Sequence, residues 1–203
     1  MAIVNGYATL NELKARLSIP VSDTADDGIL EAVIEAASRA IDKFCNRYFF
    51  STAAGQVRYF TPASEVLTFL EDCQSVSAVA TDRNLDRTWS NSIPAADYEL
   101  GPLNNPSMSF PYTELRMKPL AGESFDLGLE MVKVTGTWGF SAVPDAVNEA
   151  CLITAARYFK RKDAPFGVAG GGEVGQSVAL RAVDPDVQVL IAPYRKIGLV
   201  DLV

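Results

Sequence analysis

Residues Val132–Lys162, VKVTGTWGFSAVPDAVNEACLITAARYFKRK, decide the architecture. They read as a strand, a sharp turn and then a helix that is apolar on more than one side. Ser141 or Asp145 is placed to cap the helix, Pro144 suits its first turn, and Arg157, Lys160, Arg161 and Lys162 put positive charge at its C-terminal end, where the helix dipole favours it. At about 100° per residue, Val147, Cys151, Thr154 and Tyr158 form one stripe and Leu152, Ala156 and Phe159 another, with Ala146, Ala150 and Ile153 between them. Little of this helix is left to face water before Arg157. It needs two partners, which leaves two readings open: a central helix wrapped by its own domain, or one that also packs on a neighbouring subunit through Leu152, Ala156 and Phe159.

The rest of the chain supplies helical partners at both ends. Thr9-Leu10-Asn11-Glu12 is a capping box, and Leu10, Leu13 and Leu17 follow at helical spacing until Pro20. A second helix is expected after the acidic turn Asp23–Gly28 and runs to about Asn46. Ile29, Leu30, Val33, Ile34, Ile41 and Phe44 lie on one side of it, and Glu31, Glu35, Ser38, Arg39 and Asp42 on the other. Between these helices and the later one, residues 56–137 carry short strand-like runs: Val57–Phe60, Val66–Leu70, Val76–Ala80, Thr113–Met117 and Met131–Thr137. Residues 90–112, with Pro94, Pro102, Pro106 and Pro111, read as a long contact loop. Residues 164–175 are glycine-rich and read as a flexible linker, before a segment opened by Asp184-Pro185 that places Val187, Leu190, Ile191 and Tyr194 at helix-like spacing.

The expected fold class is therefore α+β: a small helical bundle core, an antiparallel β-rich insertion and a flexible C-terminal arm. The domain reading is 1–163 for the helical domain with its insertion at about 56–137, and 164–203 for linker and arm. Deleting the residues beyond Gly175 is expected to leave the folded domain nearly intact.

Composition narrows function by exclusion. The 203 residues are 48% hydrophobic with a formal charge of −7, and a balance that acidic argues against a protein that grips nucleic acid through its phosphates. No basic n-region with an apolar core opens the chain, and no run of about eighteen uncharged apolar residues follows, so neither secretion nor membrane spanning is expected. Cys45, Cys73 and Cys151 lie far apart without paired spacing; two fall on helical apolar faces, where a small buried thiol in a reducing compartment is the expectation.

No histidine is present, which removes the commonest general base, the imidazole-dependent triads and most zinc sites. Asp23–Gly28 resembles a calcium loop only faintly, because Ala25 and Ile34 stand where ligands belong. Gly170–Ser177 matches the glycine spacing of a phosphate loop but puts Gln176 in place of the lysine and follows no strand. Glu71-Asp72 reads as a turn. No catalytic, cofactor-binding or metal-binding residue is expected, and no cofactor.

The opening TLNELKARLSI, the helix DDGILEAVIEAASRAIDKFCNRYF after its acidic turn, the strand-turn-helix VTGTWGFSAVPDAVNEACLITAARYFKR and the glycine-rich linker before VLIAPYRK together resemble the head-tail connector, or adaptor, family of tailed bacteriophages. The resemblance spans both helical ends, while the strand-rich middle matches least. It implies a non-enzymatic virion protein of the neck, present in the host cytoplasm before assembly. Such a protein forms a ring of about twelve subunits beneath the portal protein and joins it to a stopper or tail-completion protein. It extends a channel through which DNA passes unbound. On that reading Leu190, Ile191, Tyr194 and Arg195 form an arm that docks on the portal. A different neck protein, or a nucleotide-binding packaging enzyme resting on the degenerate glycine loop, are the alternatives.

Overall fold

The computed structural model describes residues 2–119, 121–162 and 184–196 of the chain. They form two compact units, one combining residues 1–47 with those from 143 onward and the other comprising Tyr48–Ala142. The α+β expectation is borne out: the first unit is helical and the second is built on a six-stranded antiparallel sheet. The linker 164–175 and the glycine loop 170–177 lie outside the described residues.

In the helical unit, α1 (Leu10–Leu17) starts at the capping box, with Thr9 and Glu12 satisfying each other's backbone N–H, and stops at Ser18 in the left-handed conformation. The second helix, α2 (Asp27–Cys45), ends at Asn46, also left-handed. Its buried stripe runs through Leu30, Ile34, Ala37, Ile41 and Cys45, whereas Ile29 is exposed. The third, α3 (Asp145–Lys160), has Pro144 at its cap position and no side-chain cap, so neither Ser141 nor Asp145 serves as one. Val147, Ala150, Cys151 and Ala155 are fully buried, and α3 packs on α1, α2 and the fourth helix, α4 (Pro185–Ile191). Asp184 caps α4 through the Asp186 N–H.

One expectation for α2 is corrected here. Ser38 and Asp42, assigned to the solvent side, are buried beneath the N-terminal segment. Tyr7, itself buried, donates its N–H to Ser38 Oγ at 3.0 Å and its hydroxyl to Asp42. Arg39 Nε lies 2.8 Å from Asp42 Oδ2, and Asn148 Nδ2 of α3 donates to the Tyr7 carbonyl at 2.8 Å. A polar seam thus fixes residues 4–8 across two helices. A buried hydroxyl or carboxylate is tolerated only when paired, which is why these polar positions hold partners that periodicity cannot reveal.

Burial raises the Asp42 pKa above its ordinary value, and this outweighs the Tyr7 hydrogen bond and the Arg39 charge, which act the other way. With the folded pKa above the unfolded one, its contribution to stability is fully present below the unfolded value and is lost as pH rises through the folded one. Relative to Asp42→Asn, which does not titrate there, the parent chain should gain stability on acidification between the raised pKa and the ordinary carboxylate range. Paired thermal melts from about pH 7 to about pH 3 check this; a constant difference between the two proteins across that range would contradict it.

In the second unit the strands are β1 (Gln56–Phe60), β2 (Leu67–Thr81), β3 (Asn91–Ile93), β4 (Tyr98–Gly101), β5 (Tyr112–Met117) and β6 (Val132–Trp138). The sheet order is β1-β6-β2-β5-β4, with β3 also paired to β2. Two expectations change. The runs Val66–Leu70 and Val76–Ala80 fuse into the single 15-residue β2, so Glu71-Asp72 is strand and not turn. Register shifts at Phe69/Cys73, Cys73/Ser75 and Val76/Ala78 let this long strand pair with β5 first and β6 later. Residues 90–112 are not one loop either, since β3 and β4 lie within them and send Ile93 and Tyr98 into the core.

That core gathers Leu70, Cys73, Val79, Leu115, Phe125 and Trp138. The Trp138 indole N–H donates to the Gln56 carbonyl at 2.9 Å, giving the largest buried side chain the partner its polar edge requires. Directly after it, Gly139 adopts φ +88°, and a Cβ there would fall on the Phe50 carbonyl oxygen.

Candidate interaction surfaces

The helical unit places the residues proposed from the sequence very unevenly. Leu152 and Ala156 are buried within the chain, because α3 is already enclosed by α1, α2 and α4. Of the three, only Phe159 remains half-exposed, with Lys162 Nζ 5.5 Å from its ring centre. Lys162 also bonds Asp26 Oδ1 at 2.8 Å, tying the end of α3 to the turn before α2. The stripe that seemed to call for a second subunit is therefore satisfied largely by the chain itself.

The arm residues are likewise divided. Ile191 is fully buried with Val187, one helical turn before it, so the helix of the arm belongs to the helical core. Leu190 and Tyr194 are half-buried and Arg195 is exposed, its guanidinium carbon 5.7 Å from the Phe44 ring centre. The chain then returns to α2, where the Lys196 N–H donates to the Cys45 carbonyl at 2.9 Å and satisfies a group that the helix end leaves open. The expectation of a tethered tail fails for residues 184–196 because Val187 and Ile191, four apart, make a stripe that fits against α2 and α3.

The fit is incomplete. Between the three helices lies a small groove open to solvent, lined by Ile41 and Phe44 of α2, Arg157 and Tyr158 of α3, and Val187 and Ile191 of α4. Its floor is apolar, and Arg157 and Asp184 supply charge at its lining.

Among the described residues no group of His, Cys, Asp or Glu is placed to hold a metal ion. The acidic turn at Asp23–Gly28 is occupied by a cation of the chain's own: Lys14, buried, pairs with Asp27 and donates to the Asp23 carbonyl at 2.7 Å. Cys45, Cys73 and Cys151 are buried and free, and burial pushes each thiol up to about 11, which suppresses the reactive thiolate. No helix among the described residues is long and apolar enough to cross a membrane.

Sequence reasoning missed the exposed end of the β unit altogether. Leu85, Leu127 and Leu129 stand out from two facing loops there. Three isolated leucines among polar residues carry no periodic signal, so only the folded chain shows them exposed on loops that are tied to each other.

Residues 7–94 match the profile of the Phage gp6-like head-tail connector protein family, which bears out the resemblance read from the sequence over that stretch. The stretch contains α1, α2 and the first strands of the sheet. No curated protein matches the chain in sequence. Two solved structures share its fold: a chain from the "Neck of empty GTA particle computed with C6 symmetry", at TM-score 0.59 and 18% identity, covering 98% of this chain and 94% of that one; and a chain from the "Virion of native gene transfer agent (GTA) particle", at TM-score 0.54 and 19% identity with the same coverage.

Proposed function

We propose that this chain, whose residues 7–94 match the profile of the phage gp6-like head-tail connector proteins, is a structural, non-enzymatic protein of the virion neck. The family match is the observation that carries the reading. The shared fold with chains of a particle neck supports it along nearly the whole length. In this role the chain assembles into a ring, expected to be about twelve-fold, between the portal protein and a stopper or tail-completion protein. DNA passes through the ring. A formal charge of −7 suits that passage, because a wall lined with like charge does not retain phosphates.

Ring closure needs two different surfaces on each subunit. The half-exposed Phe159, beside the exposed Lys160 and Arg161, is the part of the α3 stripe still available for such a contact. The groove between α2, α3 and α4, lined by Ile191 and by Phe44 beside the Arg195 guanidinium, is the corresponding candidate for the portal side. Phe159→Asp should leave the monomer folded while lowering ring formation at least roughly tenfold, read as sedimentation of the variant beside the parent. Unimpaired assembly would remove Phe159 from the contact. Reconstruction of assembled particles tests the role itself: density for this fold at the head-tail junction is expected, and its absence from the particle would overturn the proposal.

A further inference from the structure

The sheet of the β unit ends in two loops, residues 82–90 and 121–131, that are bound to each other by several ion pairs and hydrogen bonds. Arg83 pairs with Glu123 at 2.8 Å and lies 3.6 Å from Asp126. Arg87 donates to the Leu129 carbonyl at 3.2 Å, and the Trp89 indole N–H donates to the Glu130 carbonyl at 3.1 Å. Beneath them the buried Asp82 accepts from the Asp86 and Arg87 N–H groups, at 3.1 and 2.9 Å. The loop pair is thus held in one shape.

What it holds out is apolar. Leu85, Leu127 and Leu129 are 74%, 59% and 75% exposed. Leu85 also sits at φ +59°, with Arg87 at +61°, Trp89 at +45° and Glu130 at +54° in the same loop pair. A branched, bulky side chain at positive φ is an outlier, and glycine or asparagine would fit that backbone better. Leu85 therefore costs the fold twice, once in backbone strain and once in apolar surface left in water, and packs into no core in return. Strain of this kind collects where a surface is shaped for contact.

We infer that this loop pair is a docking surface for a different protein, whose contact face is apolar and bordered by Lys or Arg. Charge selects that occupant. At the surface the two loops carry the carboxylates of Asp86, Glu123, Asp126 and Glu130 against only the guanidiniums of Arg83 and Arg87. A rim of Lys or Arg around an apolar centre is complementary to that local excess of carboxylates around Leu85, Leu127 and Leu129. The inference rests on the connector reading for its setting and adds to it a specific contact at the sheet end.

The test places a photoreactive benzophenone amino acid at position 127 of the full chain and irradiates during particle assembly. The expected adduct joins position 127 to another particle protein, at a peptide of apolar residues flanked by Lys or Arg. Leu85→Gly should lower the adduct yield roughly tenfold while keeping or raising the melting temperature, because it relieves the strained backbone. An adduct to a second copy of this chain, or a yield unchanged by Leu85→Gly, overturns the inference. So does the absence of any adduct when the chain is present in the particles, an outcome that leaves the connector role standing; absence of the chain from the particles removes the connector role and the inference with it.

Discussion

Ending the chain at residue 183 should cost the helical unit roughly 3 to 6 kcal/mol, the amount expected for removing two fully buried aliphatic side chains. Those side chains are Val187 and Ile191, and with them goes the Lys196 N–H that closes the Cys45 carbonyl. Urea denaturation measures the loss. A second readout is chemical: Cys45 is buried, with its thiol 3.8 Å from the Ile191 carbonyl, and burial pushes its pKa up to about 11. In the intact chain it should react slowly with a thiol reagent, and in the truncated chain much faster. Equal stability and equal reactivity in the two proteins would show that α4 contributes nothing to the core.

That expectation reverses the one drawn from sequence, and the reason is physical. A glycine-rich run signals conformational freedom in the linker itself and says nothing about where the segment beyond it returns. Val187 and Ile191 were legible as a stripe; their partners, Ile41 and Phe44, lie about 150 residues earlier in the chain, and no local pattern joins them. The same limit explains Ser38 and Asp42, whose burial depends on Tyr7 arriving from outside α2.

Elements with local causes were legible. The Thr9–Glu12 capping box set the start of α1, and the basic end of α3 set its limit at Lys160. The β unit was readable as antiparallel sheet but not as a topology. Its longest strand crosses the polar stretch Glu71-Asp72, which looks like a break until the register shifts are known. β3 and β4, at three and four residues, are too short for alternation to stand out between prolines. The tip leucines left no pattern at all, because an exposed apolar residue is commonplace singly and informative only when neighbours cluster around it in space.

Lys14 carries the other large expected effect. It is 1% exposed, unusual for a lysine, and its ammonium pairs with Asp27 at the first position of α2 while donating to the carbonyls of Asp23 and Val21, at 2.7 and 3.4 Å. This one side chain joins α1, the acidic turn and the start of α2. Lys14→Met keeps the aliphatic stem and removes the charge, leaving the turn carbonyls of Val21 and Asp23 without their donor and Asp27 without its cation; the expected loss is about 3 kcal/mol, the low end for breaking a buried pair. The low end applies because the Asp27 side chain is 27% exposed and keeps both water and the favourable N-terminal dipole of α2. For the same reason Asp27→Asn should cost less than Lys14→Met. A double-mutant cycle in urea separates the terms: the pair energy appears as non-additivity, while the part of the Lys14→Met loss that persists in the Asp27→Asn background reports the carbonyls. Should Lys14→Met prove harmless, the turn is held by backbone alone; if calcium then raised the melting temperature of that variant and not of the parent, the lysine would be shown to occupy the place of a cation in this loop.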